Sequence, residues 1–204
     1  ILTDLIGFRT ISGENNSAFG YRSLYCNSSG NNNHAFGFRG LYNNTTGCLN
    51  IAIGCDAMAA GVLTGVNNIS LGCMAGRKVS SGNANIFLGQ YAGANNTTGC
   101  NNIIFGQSTA GSGTLTGSHN IYMGHCTAKT TTSGTCNIAI GRCAMAAGTI
   151  TGCRNIAIGE NAGCDVTGGS DQVFIGTGAG AKYTTGTSSI FIGMRIFDRW
   201  MGWS

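Results

Sequence analysis

The chain has no proline, only two tryptophans in 204 residues, and charged side chains at just 9% of positions. Low charge beside 42% hydrophobic residues excludes a disordered chain, which needs high charge and few apolar groups. The missing proline, with glycine not at every third place, excludes collagen. No apolar run approaches the roughly 18 residues of a membrane span, and no signal-peptide pattern is visible. No C-x-x-C occurs, which argues against a zinc knuckle. The formal charge of +4 is scattered along the chain, whereas nucleic-acid binding needs a concentrated basic stripe. The first residue is Ile, which reads as a processed chain or a segment of something longer.

What is abundant is glycine, 35 residues of it, and it is periodic. NIAIG occurs at Asn50–Gly54, Asn137–Gly141 and Asn155–Gly159, with relatives such as NISLG, NIFLG and NIYMG between them. The closing Gly falls at 20, 37, 54, 72, 89, 106, 124, 141, 159, 176 and 193, spacings of 17 or 18. A second Gly precedes each by seven residues, from Gly13 to Gly186. A fixed short period held over this length marks a repeat architecture. The expected fold is all-β, a parallel β-solenoid of 17/18-residue coils over residues 13–193. Residues 1–12 are expected to be a shortened coil or junction, and 194–204 a cap or junction.

The position before the closing Gly is always large and apolar, and the one two earlier is Ile or Val in nine of eleven coils. Side chains alternate along a strand, so these two share a face. That face is expected to be the coil interior: Ile51, Ile53, Ile86, Leu88, Ile138, Ile140, Ile156 and Ile158. The residue between them is also small or apolar (Ala52, Ser70, Phe87, Ile104, Tyr122, Phe174, Phe191). A 17-residue coil has too little chain to cover its own outer face. The middle column is therefore expected to meet another copy, with Phe87, Ile104, Tyr122, Phe174 and Phe191 as contacts. Asn50, Asn68, Asn85, Asn102, Asn120, Asn137 and Asn155 form a column suited to an amide ladder between coils. Positive φ is expected at both glycine columns.

Asn16–Gly47, NSAFGYRSLYCNSSGNNNHAFGFRGLYNNTTG, resembles the tail-fibre repeat built on units like N-T-A-F-G-Y-x-A-L-Y-x-N-T-T-G-x-N. The whole of 13–193 also resembles the related head domain of trimeric autotransporter adhesins. The resemblance implies a left-handed β-roll, a homotrimer and a role in attachment. It implies as partners a second and third copy, neighbouring fibre or virion proteins, and a host glycan or receptor, on a virion surface or appendage. Other readings are a cell-surface adhesin head and a monomeric ice- or surface-binding solenoid, the last suggested by the Ser/Thr column from Ser29 to Thr185.

Catalysis, cofactors and metal are not expected. The seven carboxylates place no two at one repeat position on neighbouring coils, so no acid/base pair forms as a glycosidase needs. His34 replaces an inward Ile, and His125 is read as a surface residue. Ten cysteines occur. Cys55 with Cys73, and Cys126 with Cys143, fall in register on adjacent coils, where a spacing of about 4.8 Å permits a disulfide; small free thiols are the alternative. Sequons occur at Asn15, Asn27, Asn43, Asn44, Asn68, Asn95 and Asn96; those expected in loops, Asn27, Asn43, Asn44, Asn95 and Asn96, are candidate glycan sites in a eukaryotic context.

Overall fold

The computed structural model describes residues 12–195. The expected N-terminal coil and C-terminal cap lie almost wholly outside these described residues. Within them the protein is all-β, with eleven strands of three residues each. They are β1 (Ser17–Phe19), β2 (His34–Phe36), β3 (Ile51–Ile53), β4 (Ile69–Leu71), β5 (Ile86–Leu88), β6 (Ile103–Phe105), β7 (Ile121–Met123), β8 (Ile138–Ile140), β9 (Ile156–Ile158), β10 (Val173–Ile175) and β11 (Ile190–Ile192). They pair in sequence order as one parallel sheet. The register matches equivalent motif positions, as Ile51↔Ile69 and Ile53↔Leu71 show. Each coil stacks its strand on the last, so the chain climbs as a solenoid of about ten turns.

The absence of proline follows from this construction. Backbone N–H groups in strands and corners alike donate to the neighbouring coil: Ile51 to Asn68 O at 2.8 Å, Gly54 to Phe36 O at 2.8 Å, Asp56 to Phe38 O at 2.8 Å and Met58 to Ala75 O at 3.1 Å. A proline at such a place deletes a rung bond.

Corners are made by left-handed residues at fixed places in the coil, for example Asp56 (φ 55°), Met58 (φ 47°) and Asn67 (φ 60°). Among the described residues, none of the non-glycine residues at positive φ is Val, Ile or Thr, the types for which that conformation costs most. The two glycine columns differ in cause. Gly54 has φ 135°, a region other residues rarely adopt. Gly47 has no positive φ; a Cβ there would lie 2.7 Å from Gly65 O of the next coil. Apart from Gly186, which has φ 158°, the second column is glycine because coils touch there, which corrects the expectation of positive φ throughout both.

The expected assignment of strand faces is reversed. The middle residues Phe87, Ile104, Tyr122 and Phe174 are completely buried and Phe191 nearly so, all within the single-chain core. They are not placed as contacts to another copy. Ile51, Ile86, Leu88, Ile138 and Ile156 are half-buried on the outer face, and Ile53, Ile140 and Ile158 are exposed there. His34 is likewise on the outer face and exposed. The reason is parity. Asn50 and its equivalents are fully buried, and the next inward position after Asn is two residues on, the middle of the strand.

The core is filled by pairing large with small. The residue six after the middle position lies across the coil. Ala35 has Leu41 and Ala52 has Met58, all fully buried. Phe87 instead lies against Gly76, where a Cβ would come 2.7 Å from its ring, and also against Gly93. Phe174 does the same with Gly163, at 2.9 Å, and Gly180. In the 18-residue coils the extra residue bulges outward and Leu63, Leu115 and Ile150 turn fully inward.

Tyr122 shares this interior, its hydroxyl 3.3 Å from Thr131 Oγ1. Burial pushes its ionisation up to about 12, against a smaller opposing effect of the Thr131 hydrogen bond. An unfolded Tyr ionises near 10. The stability this group contributes is therefore full below pH 10 and is lost as pH rises from 10 to 12. Tyr122→Phe should lose its melting temperature less steeply than wild type between pH 9.5 and 11.5. The difference corresponds to about 2–3 kcal/mol at the upper end, read by thermal melts across that range.

Candidate functional site: an apolar stripe between two polar edges

Outward residues of the eleven strands stack into two columns, one apolar throughout and the other apolar from Ile51 onward, after Ser17 and His34. In the column before the closing Gly, Phe19 is 61%, Ile53 44%, Phe105 48% and Ile192 62% exposed. In the column two earlier, Ile103 and Ile190 are exposed and most of the others half-buried. At about 4.8 Å per coil the stripe is roughly 50 Å long. With large side chains offering 150–250 Å² each, it presents on the order of 1,000 Å² of apolar surface. A typical monomer's largest patch is about 300–600 Å², and a stable interface buries about 800 Å² per partner.

Behind the stripe stands the Asn ladder. Asn50 Oδ1 accepts Asn68 N–H at 2.9 Å and Asn68 Nδ2 at 3.1 Å, while Asn50 Nδ2 donates to Gly65 O at 2.9 Å. Asn68, Asn85, Asn102, Asn120, Asn137 and Asn155 continue the pattern, all fully buried. Satisfied amides at the corner hold each strand's level and parity. An unsatisfied one would cost about 1–3 kcal/mol.

A second acceptor ladder, two residues earlier, was not foreseen from the sequence. Its donor is a backbone N–H of one coil and its acceptor the side chain of the next: Asn31 to Cys48 Sγ at 3.2 Å, Val66 to Asn83 Oδ1 at 2.8 Å, Cys100 to Ser118 Oγ at 2.9 Å. Asn, Ser and Cys share the column because each offers a short-range acceptor. Cys153 belongs to it, and the Thr135 hydroxyl, donating at 3.1 Å, lowers its thiol's ionisation from the usual value.

All ten cysteines are free thiols. Cys55 and Cys73 are neighbours on adjacent coils without a bond, and burial, then Asp56, raises the Cys55 thiol. Cys126 and Cys143 are likewise unbonded; Cys126 Sγ lies 3.6 Å from His125 Nε2. The free-thiol alternative is the one the structure adopts. Among the described residues no group of three or more His, Cys, Asp or Glu is arranged to hold a metal. Of the sequons, Asn27, Asn44, Asn68 and Asn96 are fully buried, which removes them as glycan sites. Asn15 is exposed, and Asn43 and Asn95 are half-buried.

Charged residues pair coil to coil, some of them in the columns that flank the stripe. Arg142 binds Glu160 in the column just after the closing Gly. Arg154 Nε lies 2.6 Å from Asp171 Oδ1 in the column five before it. Arg154 holds the Asp171 carboxyl below its usual value. Arg39 pairs with Asp56 at 2.6 Å, and Lys182 with Asp165 at 3.2 Å. These lie one repeat apart, a pattern visible in the sequence once oppositely charged residues are compared column by column. At the first two coils the edge is aromatic. There Tyr21 stacks on Phe38 in the column just after the closing Gly, with Arg22 and Arg39 beside them, and further round the coil Tyr25 stacks on Tyr42, both pairs at 5.4 Å between centroids.

No known protein family, curated protein or solved structure matches the chain. The site must be read from its own chemistry. It presents a long, narrow, apolar surface.

Proposed function

We propose that the chain is a rigid segment of a homotrimeric virus fibre or spike that projects or supports host attachment. The observation that carries the proposal is the exposed apolar stripe, too long and too apolar for a free surface. Three parallel copies facing a common axis cover all their stripes and close the assembly. From the column five before the closing Gly to the one after it, the chain spans up to about 20 Å. Three such faces form a triangle whose centre is roughly 6 Å from each strand, about the reach of an Ile side chain. The tail-fibre and adhesin resemblance of the repeat points the same way. The stripe takes the role first expected of the middle column, so the trimer reading no longer depends on Phe87 or Tyr122.

Mass in solution is the test. Sedimentation equilibrium should give about 63 kDa, three times the 20.9 kDa chain. A mass of one chain would overturn the reading. The ice-binding alternative has less support: Ser28, Thr45, Ser80 and Thr97, beside the exposed hydroxyl column, are half-buried, and Ser28 and Ser80 bond backbone carbonyls at 2.8 Å and 3.1 Å.

A further inference from the structure

A repeated stripe cannot fix its own register. Ile53, Ile140 and Ile158 are interchangeable, so two copies displaced by one coil would still match apolar column to apolar column. Something outside the stripe must say which coil faces which. The charged residues on its two edges are suited to do so.

In a parallel rotational assembly, the edge after the closing Gly on one copy faces the edge five before it on the next. At the β9 level these edges carry Glu160 and Arg154. Within one chain the two are separated by the width of the face, roughly 15–20 Å, and each has its own in-chain partner, Arg142 and Asp171. Between copies in register they meet as opposite charges. A slip of one coil in one direction sets Arg142 against Arg154 and Glu160 against Asp171, like against like in both cases. All four side chains are largely solvent-accessible, at 42–62% exposure, and so are free to reach across.

We propose that Arg154 of one copy and Glu160 of the next form an interchain ion pair that sets register between the chains. The inference rests on the assembly proposed above. It deepens that proposal by naming the contact that makes a repetitive surface specific.

Carbodiimide coupling of the variant Arg154→Lys tests it. The reagent activates the Glu160 carboxylate, and the new amine displaces the urea to leave an amide between chains. Coupling of the amine to Asp171 stays within one chain and adds no band. Two- and three-chain bands on a denaturing gel should rise at least about fivefold over wild type. They should return to the wild-type level when Glu160→Gln is added. A three-chain mass without Glu160-dependent bands would overturn the register pair and leave the assembly standing. A one-chain mass would overturn both.

Discussion

Phe105→Asp and Ile140→Asp, each alone, should turn a particle of about 63 kDa into a chain of 20.9 kDa without unfolding it. Both side chains point out of the coil, Phe105 48% and Ile140 37% exposed. Within one chain the substitution therefore replaces a partly wet apolar group with a wet charge, and the coil keeps its core. In the proposed trimer the same change would bring three carboxylates together in a dry centre. Burying even one unpaired charge costs several kcal/mol, and three near one axis repel one another as well. Dissociation should be complete at micromolar concentration, with the β-sheet circular dichroism unchanged. Lys129→Ala, an exposed position away from the stripe, should leave mass and spectrum alone. If the Asp variants keep the three-chain mass, the stripe is not the interface and the proposed function loses its support.

The coil was legible because its signal is redundant. Eleven closing glycines and the fixed seven-residue interval to the second Gly set the length of every coil, and the apolar triplet between them locates every strand. Strand parity was not read correctly, although the sequence contained it. Alternation shows that Ile51 and Ile53 share a face; it does not show which face is inside. The Asn column does. An amide ladder tight enough to link coils must be dry, so Asn50 points inward, and Ala52, two residues on, must point inward too. Treating the ladder and the middle column as independent allowed an assignment that alternation forbids.

A second clue lay six residues downstream. Where the middle position is Ala35 or Ala52, the facing position is Leu41 or Met58; where it is Phe87 or Phe174, the facing position is Gly93 or Gly180. Such compensation between two columns is expected of groups that share one interior volume. Residues meeting a different chain would show no such pairing. The ion pairs were hidden for another reason. A search for acid/base chemistry sets carboxylate against carboxylate, whereas four of the seven carboxylates stand beside a cation one repeat away.

The volume argument yields a second strong prediction, in which one substitution repairs another. Phe87→Ala should destabilise by about 3–5 kcal/mol, because it opens a cavity in a core that cannot collapse around it. Gly93→Leu alone should be at least as harmful. Its side chain starts where the Phe87 ring already sits, and overpacking typically costs about 1–3 kcal/mol before any backbone strain. Combined, they should recover half or more of the loss, since Ala with Leu reproduces the Ala35–Leu41 arrangement three coils earlier. Leu41 shows that a leucine is tolerated at this corner: its φ is 51° and that of Gly93 is 55°. Denaturant melts of the two single variants and the double variant measure the coupling. A ring buried against a neighbouring chain would give a different result. Phe87→Ala would then weaken assembly while leaving the coil's own stability intact, and Gly93→Leu would not restore it. Because each coil is held only by the coils beside it, the damage in Phe87→Ala should first appear as amide exchange in the β4, β5 and β6 coils. The coils around β9 and β10 should stay protected.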